Sequence, residues 1–104
     1  MPLIVSEIAV TEAASADFTN VLKADPEIAR ALAAAAGKAE GRLFQGIFNA
    51  RPVALLRVLA DGNGWRLAEI VVHPATRGRG VGKEMLRQAG SLLAPAALDS
   101  GPRW

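Results

Sequence analysis

The chain has 104 residues, 51% hydrophobic and 21% charged, with 12 lysines and arginines against 10 aspartates and glutamates. That length predicts a single domain over residues 1–104, and the apolar content excludes intrinsic disorder. The lack of cysteine excludes a disulfide scaffold, a thiol nucleophile and a Cys-ligated metal, and one histidine, His73, excludes a His-rich site, so no metal is expected. No apolar run approaches the ~20 residues that cross a bilayer. The start, Met1 to Glu7, lacks the basic region of a secretory signal, so the expectation is a cytoplasmic protein with no membrane partner. A net charge of +2 with 5% aromatics, and no interleaving of the two, predicts no nucleic-acid partner.

In chain order, Leu3 to Val10 reads as a first strand and Ala13 to Lys23 as a helix with Phe18, Val21 and Leu22 on one side. Asp25-Pro26-Glu27 starts a second helix. Asp25 can cap the free amides, Pro26 needs no N–H at the first helical position, and Gly37 is a natural stop. The period then changes. Leu43 to Phe48 and Pro52 to Leu59 read as strands about a turn at Asn49-Ala50-Arg51. Asp61-Gly62-Asn63-Gly64 signals a hairpin into a strand from Trp65 to Val72. A helix from about Gly80 to Leu93 places Val81, Met85, Leu86, Ala89, Leu92 and Leu93 on one face and Lys83, Glu84, Arg87 and Gln88 on the other. Ala96 to Ser100 offers one short further strand. The order predicts an α/β or α+β fold with a central sheet.

Chemistry concentrates between Ile70 and Leu86, where an apolar strand runs through Val72-His73-Pro74 into a loop with glycines at 78, 80 and 82 and then directly into a helix. Such a loop curls so that several N–H groups face one space, and the helix adds its unpaired donors and positive dipole end. An anion such as a pyrophosphate suits it, with Arg77, Arg79 or Lys83 supplying charge from a basic cluster that also includes Arg87. The dinucleotide fingerprint fails because Lys83 stands where its third glycine belongs. A P-loop fails at Arg77 and Glu84. What fits is Arg-x-x-Gly-x-Gly, at Arg77, Gly80 and Gly82.

This segment resembles the signature of the GCN5-related N-acetyltransferases (GNAT), a Gln/Arg-x-x-Gly-x-Gly/Ala sequence between the fourth strand and third helix that binds acetyl-CoA. The resemblance covers most of residues 42–93, and the order of elements extends it to the N-terminus. It implies a mixed, mainly antiparallel central sheet flanked by helices, here expected without the family's last helix and strands. It implies that Ile70, Val71 and Val72 offer main chain to the pantetheine arm as a strand would. The loop at Gly78, Arg79, Gly80, Val81, Gly82 and Lys83 would hold the pyrophosphate, and Arg77 would position the phosphates. By the same resemblance a small-molecule or protein amine attacks the acetyl group, and Glu69 is the candidate base that takes its proton. In histone-type members the basic glutamate lies further upstream, where Arg66 stands. The sequence holds no tyrosine to protonate the leaving thiolate.

Leu43 to Val58, with Phe48-Asn49-Ala50-Arg51 and Leu55-Leu56-Arg57-Val58, together with Thr76 to Gly82, is also similar to the PanM/PanZ type of domain. That family senses acetyl-CoA and activates aspartate decarboxylase maturation through protein contact. The leading expectation is an N-acetyltransferase, an enzyme acting on a primary amine; the alternative is a non-catalytic acetyl-CoA sensor. An uncovered sheet edge and apolar surface around the signature helix predict a homodimer.

Overall fold

Apolar residues at consecutive positions of the central strands, Leu43-Phe44, Leu55-Leu56 and Val71-Val72, must point to opposite faces of a sheet, so both faces need cover. In the computed structural model, which describes residues 3–101, each face has its own helix. The strands are β1 (Ile4–Ile8), β2 (Arg42–Phe48), β3 (Arg51–Asp61), β4 (Gly64–Val72) and β5 (Leu98–Asp99). They form one sheet in the order β1-β2-β3-β4-β5, antiparallel except where β5 runs parallel to β4. The mixed, mainly antiparallel α/β arrangement expected from the sequence is the one observed.

On one face α2 (Pro26–Lys38) covers Leu43, Leu55 and Val71 through Leu32, Ala35 and Ala36. On the other, α3 (Val81–Leu93) covers Phe44, Leu56 and Val58 through Val81, Met85, Ala89 and Leu93. The step of four between those residues makes them one stripe. Met85 is fully buried and ordinary core. A Cβ on Gly46 would stand 2.5 Å from its sulfur, so glycine there lets α3 approach the sheet. Leu92, expected in the stripe, lies beside it and is half exposed.

The region expected as one helix over Ala13 to Lys23 is broken. Two 3-10 turns, Val10–Ala14 and Ala16–Phe18, precede a short α1 (Thr19–Leu22). Ser15 is the cause: its backbone is extended and its hydroxyl accepts from the Asp17 N–H at 3.2 Å, a local bond that replaces a helical one. Phe18 and Val21 are nevertheless buried, as the spacing predicts. The first strand also ends earlier than expected, at Ile8, because Val10 opens the first of these turns.

The second helix starts as predicted, with Asp25 Oδ1 accepting from the N–H groups of Glu27 and Ile28 at 3.1 Å each and Pro26 in the first turn. It runs through Gly37 and stops at Ala39, which adopts the left-handed conformation (φ 50°). Tertiary anchoring accounts for the later stop: the Arg57 guanidinium on β3 donates to the Glu40 carbonyl at 3.0 Å and fixes where the chain leaves the helix.

Candidate functional site

The end of β4 is a strand edge without a neighbour. β5 meets β4 only at Trp65 and Arg66, so among the described residues no strand pairs with the outer edge from Leu67 to Val72. Its inner edge stays paired with β3, with a register shift that makes Ala68 an extra residue between the Val58–Leu67 and Arg57–Glu69 pairs. Unpaired N–H and C=O groups along such an edge accept an extended ligand as they would another strand.

Beyond Val72 the chain turns sharply. His73 continues the ladder by donating its N–H to the Val53 carbonyl at 2.8 Å, and its Nδ1 accepts from the Ala75 N–H at 3.0 Å. Thr76 Oγ1 donates to the His73 carbonyl at 3.0 Å. The imidazole therefore braces the turn, and it faces a separate recess beside Phe48, Asn49 and Arg51. Gly78 and Gly80 then take left-handed conformations (φ 78° and 77°), the backbone state that glycine adopts without steric cost. Gly80 is the N-cap of α3 and has no side chain to offer, so the first-turn amides of Val81, Gly82 and Lys83 face outward uncapped.

These pieces bound one cleft of about 490 Å³, lined by Ile70, Val71, Val72, Thr76, Arg77, Gly78, Gly80, Val81, Gly82 and Lys83, with Asp25 and Ile28 of α2 on the opposite lip. Of the residues singled out by sequence for a phosphate ligand, all but Arg79 line it. Arg79 is exposed on the loop. Arg77 bends back so that its Nε donates to the Val72 carbonyl at 3.2 Å, tying the loop to the strand end. Among the described residues no carboxylate pairs with Arg77, Arg79 or Lys83, whereas Arg87 is committed to Glu84 at 2.6 Å. The basic cluster read from the sequence thus divides into three available cations and one spent one. Sequence reasoning missed Asp25 and Ile28 as lining residues, because only the fold brings the start of α2 to this cleft.

Glu69 stands elsewhere. It lies on β4 outside the cleft lining, and both its carboxylate oxygens accept from Arg57, at 2.5 Å from Nε and 2.9 Å from Nη2. The Arg57 side chain is only 7% exposed and that of Glu69 16%. Its hydrogen bonds to the Glu69 carboxylate raise the Arg57 pKa against the opposing effect of burial. The pair, with the Glu40 carboxylate at 3.7 Å, joins β3, β4 and the end of α2.

Taken together, the free half of β4 and an uncapped helix entered through glycines form a track that can hold an extended arm at one end and a phosphate group at the other. Comparison with known proteins bears on this geometry. Residues 3–94 match the family model described as the acetyltransferase (GNAT) domain, PanZ. No match is found among curated proteins. Solved structures with the same fold include an IAA acetyltransferase from Bacillus cereus (22% identity, TM-score 0.67), covering 88% of this chain and 58% of that one. A GNAT family acetyltransferase from Brucella melitensis in complex with acetyl-CoA aligns at 14% identity and TM-score 0.69, over 91% of this chain and 71% of that one. The ribosomal-protein-S18-alanine N-acetyltransferase from Escherichia coli aligns at 20% identity and TM-score 0.66, over 88% and 59%. The chain thus spans less than two thirds of the length of the first and third of these.

Proposed function

The chain belongs to the acetyltransferase (GNAT) domain family of the PanZ type, and from that premise we propose that it is a single acetyl-CoA-binding domain that senses this ligand and acts through contact with a protein. The observation that carries the binding reading is the cleft itself. Its open strand edge and uncapped α3 end fit, respectively, the two halves of a pantetheine–pyrophosphate ligand. Ile70, Val71 and Val72 would hold the arm, Gly78 to Lys83 the pyrophosphate, and Arg77 and Arg79 would add charge. Acetyl-CoA supplies an acetyl thioester there.

Glu69 lies outside the cleft lining, bound to a buried arginine, and this favours sensing over transfer, because a base must stand within reach of the amine. The second reading is N-acetyl transfer to a primary amine, supported by the activities printed for the structural neighbours, with Glu69 as the proton acceptor. A cytoplasmic location belongs to either reading. So does a homodimer, supported by half-exposed Leu92 on α3. Light scattering that finds only monomer at high micromolar concentration removes the dimer.

The test of binding is the melting temperature with and without acetyl-CoA, with CoA and ATP as controls. Ligand at ~100 times its Kd adds about 2.7 kcal/mol to a folded state that alone binds it. A rise with CoA species and not with ATP supports the cleft assignment, and no rise with any of them removes it. Release of free CoA dependent on an added amine, and lost in Glu69→Gln, would establish transfer instead of sensing.

A further inference from the structure

The two ends of the sheet are treated differently, and the β1 end carries a feature that the acetyl-CoA reading does not use. Among the described residues β1 pairs with β2 on one side only. On its other side the carboxamide of Gln88, reaching over from α3, occupies the main chain. Its Oε1 accepts from the Val5 N–H at 3.1 Å, and its Nε2 donates to the Leu3 carbonyl at 2.9 Å. Leu3 and Val5 are two residues apart, so these groups lie on the same outward edge, the pair that a neighbouring strand would engage. A side-chain amide has the donor and acceptor of a peptide unit, and here both are placed as in an added strand.

The carboxamide is itself held. Nε2 also donates to Glu84 at 2.6 Å, and Glu84 is locked by two bonds from Arg87 at 2.8 and 2.6 Å. Because a carboxylate only accepts, the Glu84 contact sets which end of the amide carries the nitrogen, and the contacts to β1 follow from it.

We propose that Gln88 is a guard on the outer edge of β1, and that the partner it keeps out is β1 of a second copy of this chain. The strand beneath it is suited to self-pairing. It is rich in β-branched residues, Ile4 is 64% exposed, and its one charge, Glu7, is already neutralised by Arg42 at 2.5 Å. An antiparallel copy across a two-fold axis would bring Ile4 against apolar surface and would set no unpaired like charges together. Gln88 denies that copy its first two hydrogen bonds. The inference does not depend on what the cleft near α3 binds.

Sedimentation velocity of the full chain over a wide concentration range, compared with Gln88→Ala, tests it. The variant should self-associate beyond the wild type with a Kd at least about tenfold lower. Adding Ile4→Lys, a charge on the edge, should return it to the wild-type state. Hydrogen exchange supplies a second readout. The Val5 N–H should be protected in the wild type and should exchange faster in Gln88→Ala at concentrations too low for association. If Gln88→Ala fails to fold, Gln88→Glu keeps the stem and the acceptor for Val5 while losing the donor to Leu3, and should show the same association. A folded variant with the mass of the wild type at every concentration overturns the proposal, as does a Val5 amide that exchanges in the wild type like an open strand edge.

Discussion

Helices α2 and α3 are each 13 residues long and both begin at the same cleft, yet their first turns are built in opposite ways. At α2 the Asp25 carboxylate accepts from two amides and closes the end. At α3 a left-handed glycine stands in the cap position, and among the described residues no side chain closes it. A helix end that satisfies its own donors is a structural end; one that leaves them facing a cleft is available to an anion. The negative charge of Asp25 on the opposite lip also gives an anionic ligand reason to sit on the α3 side, and the loop cations stand there too.

The strongest way to break this contrast is to give α3 the cap that α2 has. Gly80→Asp puts a carboxylate over the open amides, and we expect it to abolish the acetyl-CoA-dependent rise in melting temperature, about 2.7 kcal/mol at ~100 times Kd. A variant that melts cooperatively and still shows the full rise would place the ligand elsewhere. Next in size is Arg77→Ala. It removes one exposed cation and the tie to Val72, and should weaken acetyl-CoA binding by up to about tenfold, or about 1.4 kcal/mol, by calorimetry. Added salt should shrink the difference.

The converse change opens α2. Asp25→Ala should cost about 1 kcal/mol in urea denaturation, as loss of an N-cap does, while acetyl-CoA binding stays equal or tightens. Weaker binding would show that Asp25 serves the ligand and not the helix.

The smallest effect concerns Glu84 in the first turn of α3. Hydrogen bonds from Arg87, then from Gln88, lower its pKa from 4.5 to about 2. The unfolded chain therefore takes up this proton first, so the contribution of Glu84 to stability is complete above about pH 4.5 and fades as pH falls towards about 2. Glu84→Gln should flatten that part of the stability–pH curve and change little at neutral pH, because the group is partly exposed and screened by solvent.

Much of the fold was legible because its signals are local. The Asp25-Pro26 start of α2, the Asp61 to Gly64 hairpin and the glycine loop before α3 each write their backbone geometry in residue type. The reading failed where local and tertiary preferences disagree. Ser15 broke a helix that apolar spacing supported, and Arg57 carried the end of α2 past Gly37. Gln88 sits on what a helical wheel draws as the polar face, and nothing in its sequence neighbourhood shows that it reaches β1, 83 residues away along the chain.

The sequence by itself determined the strand–glycine loop–helix unit and the lack of a cap at α3, since these depend on neighbouring residues and on where glycine alone is comfortable. It also determined the two-faced apolar pattern that requires a helix on each side of the sheet. Only the tertiary structure decided that α2 closes the cleft, that Glu69 spends its carboxylate on Arg57, and that β1 is covered by a side chain from α3. Those outcomes depend on which distant segments meet, and a hydrogen bond or ion pair between them leaves no periodic trace in the chain that makes it.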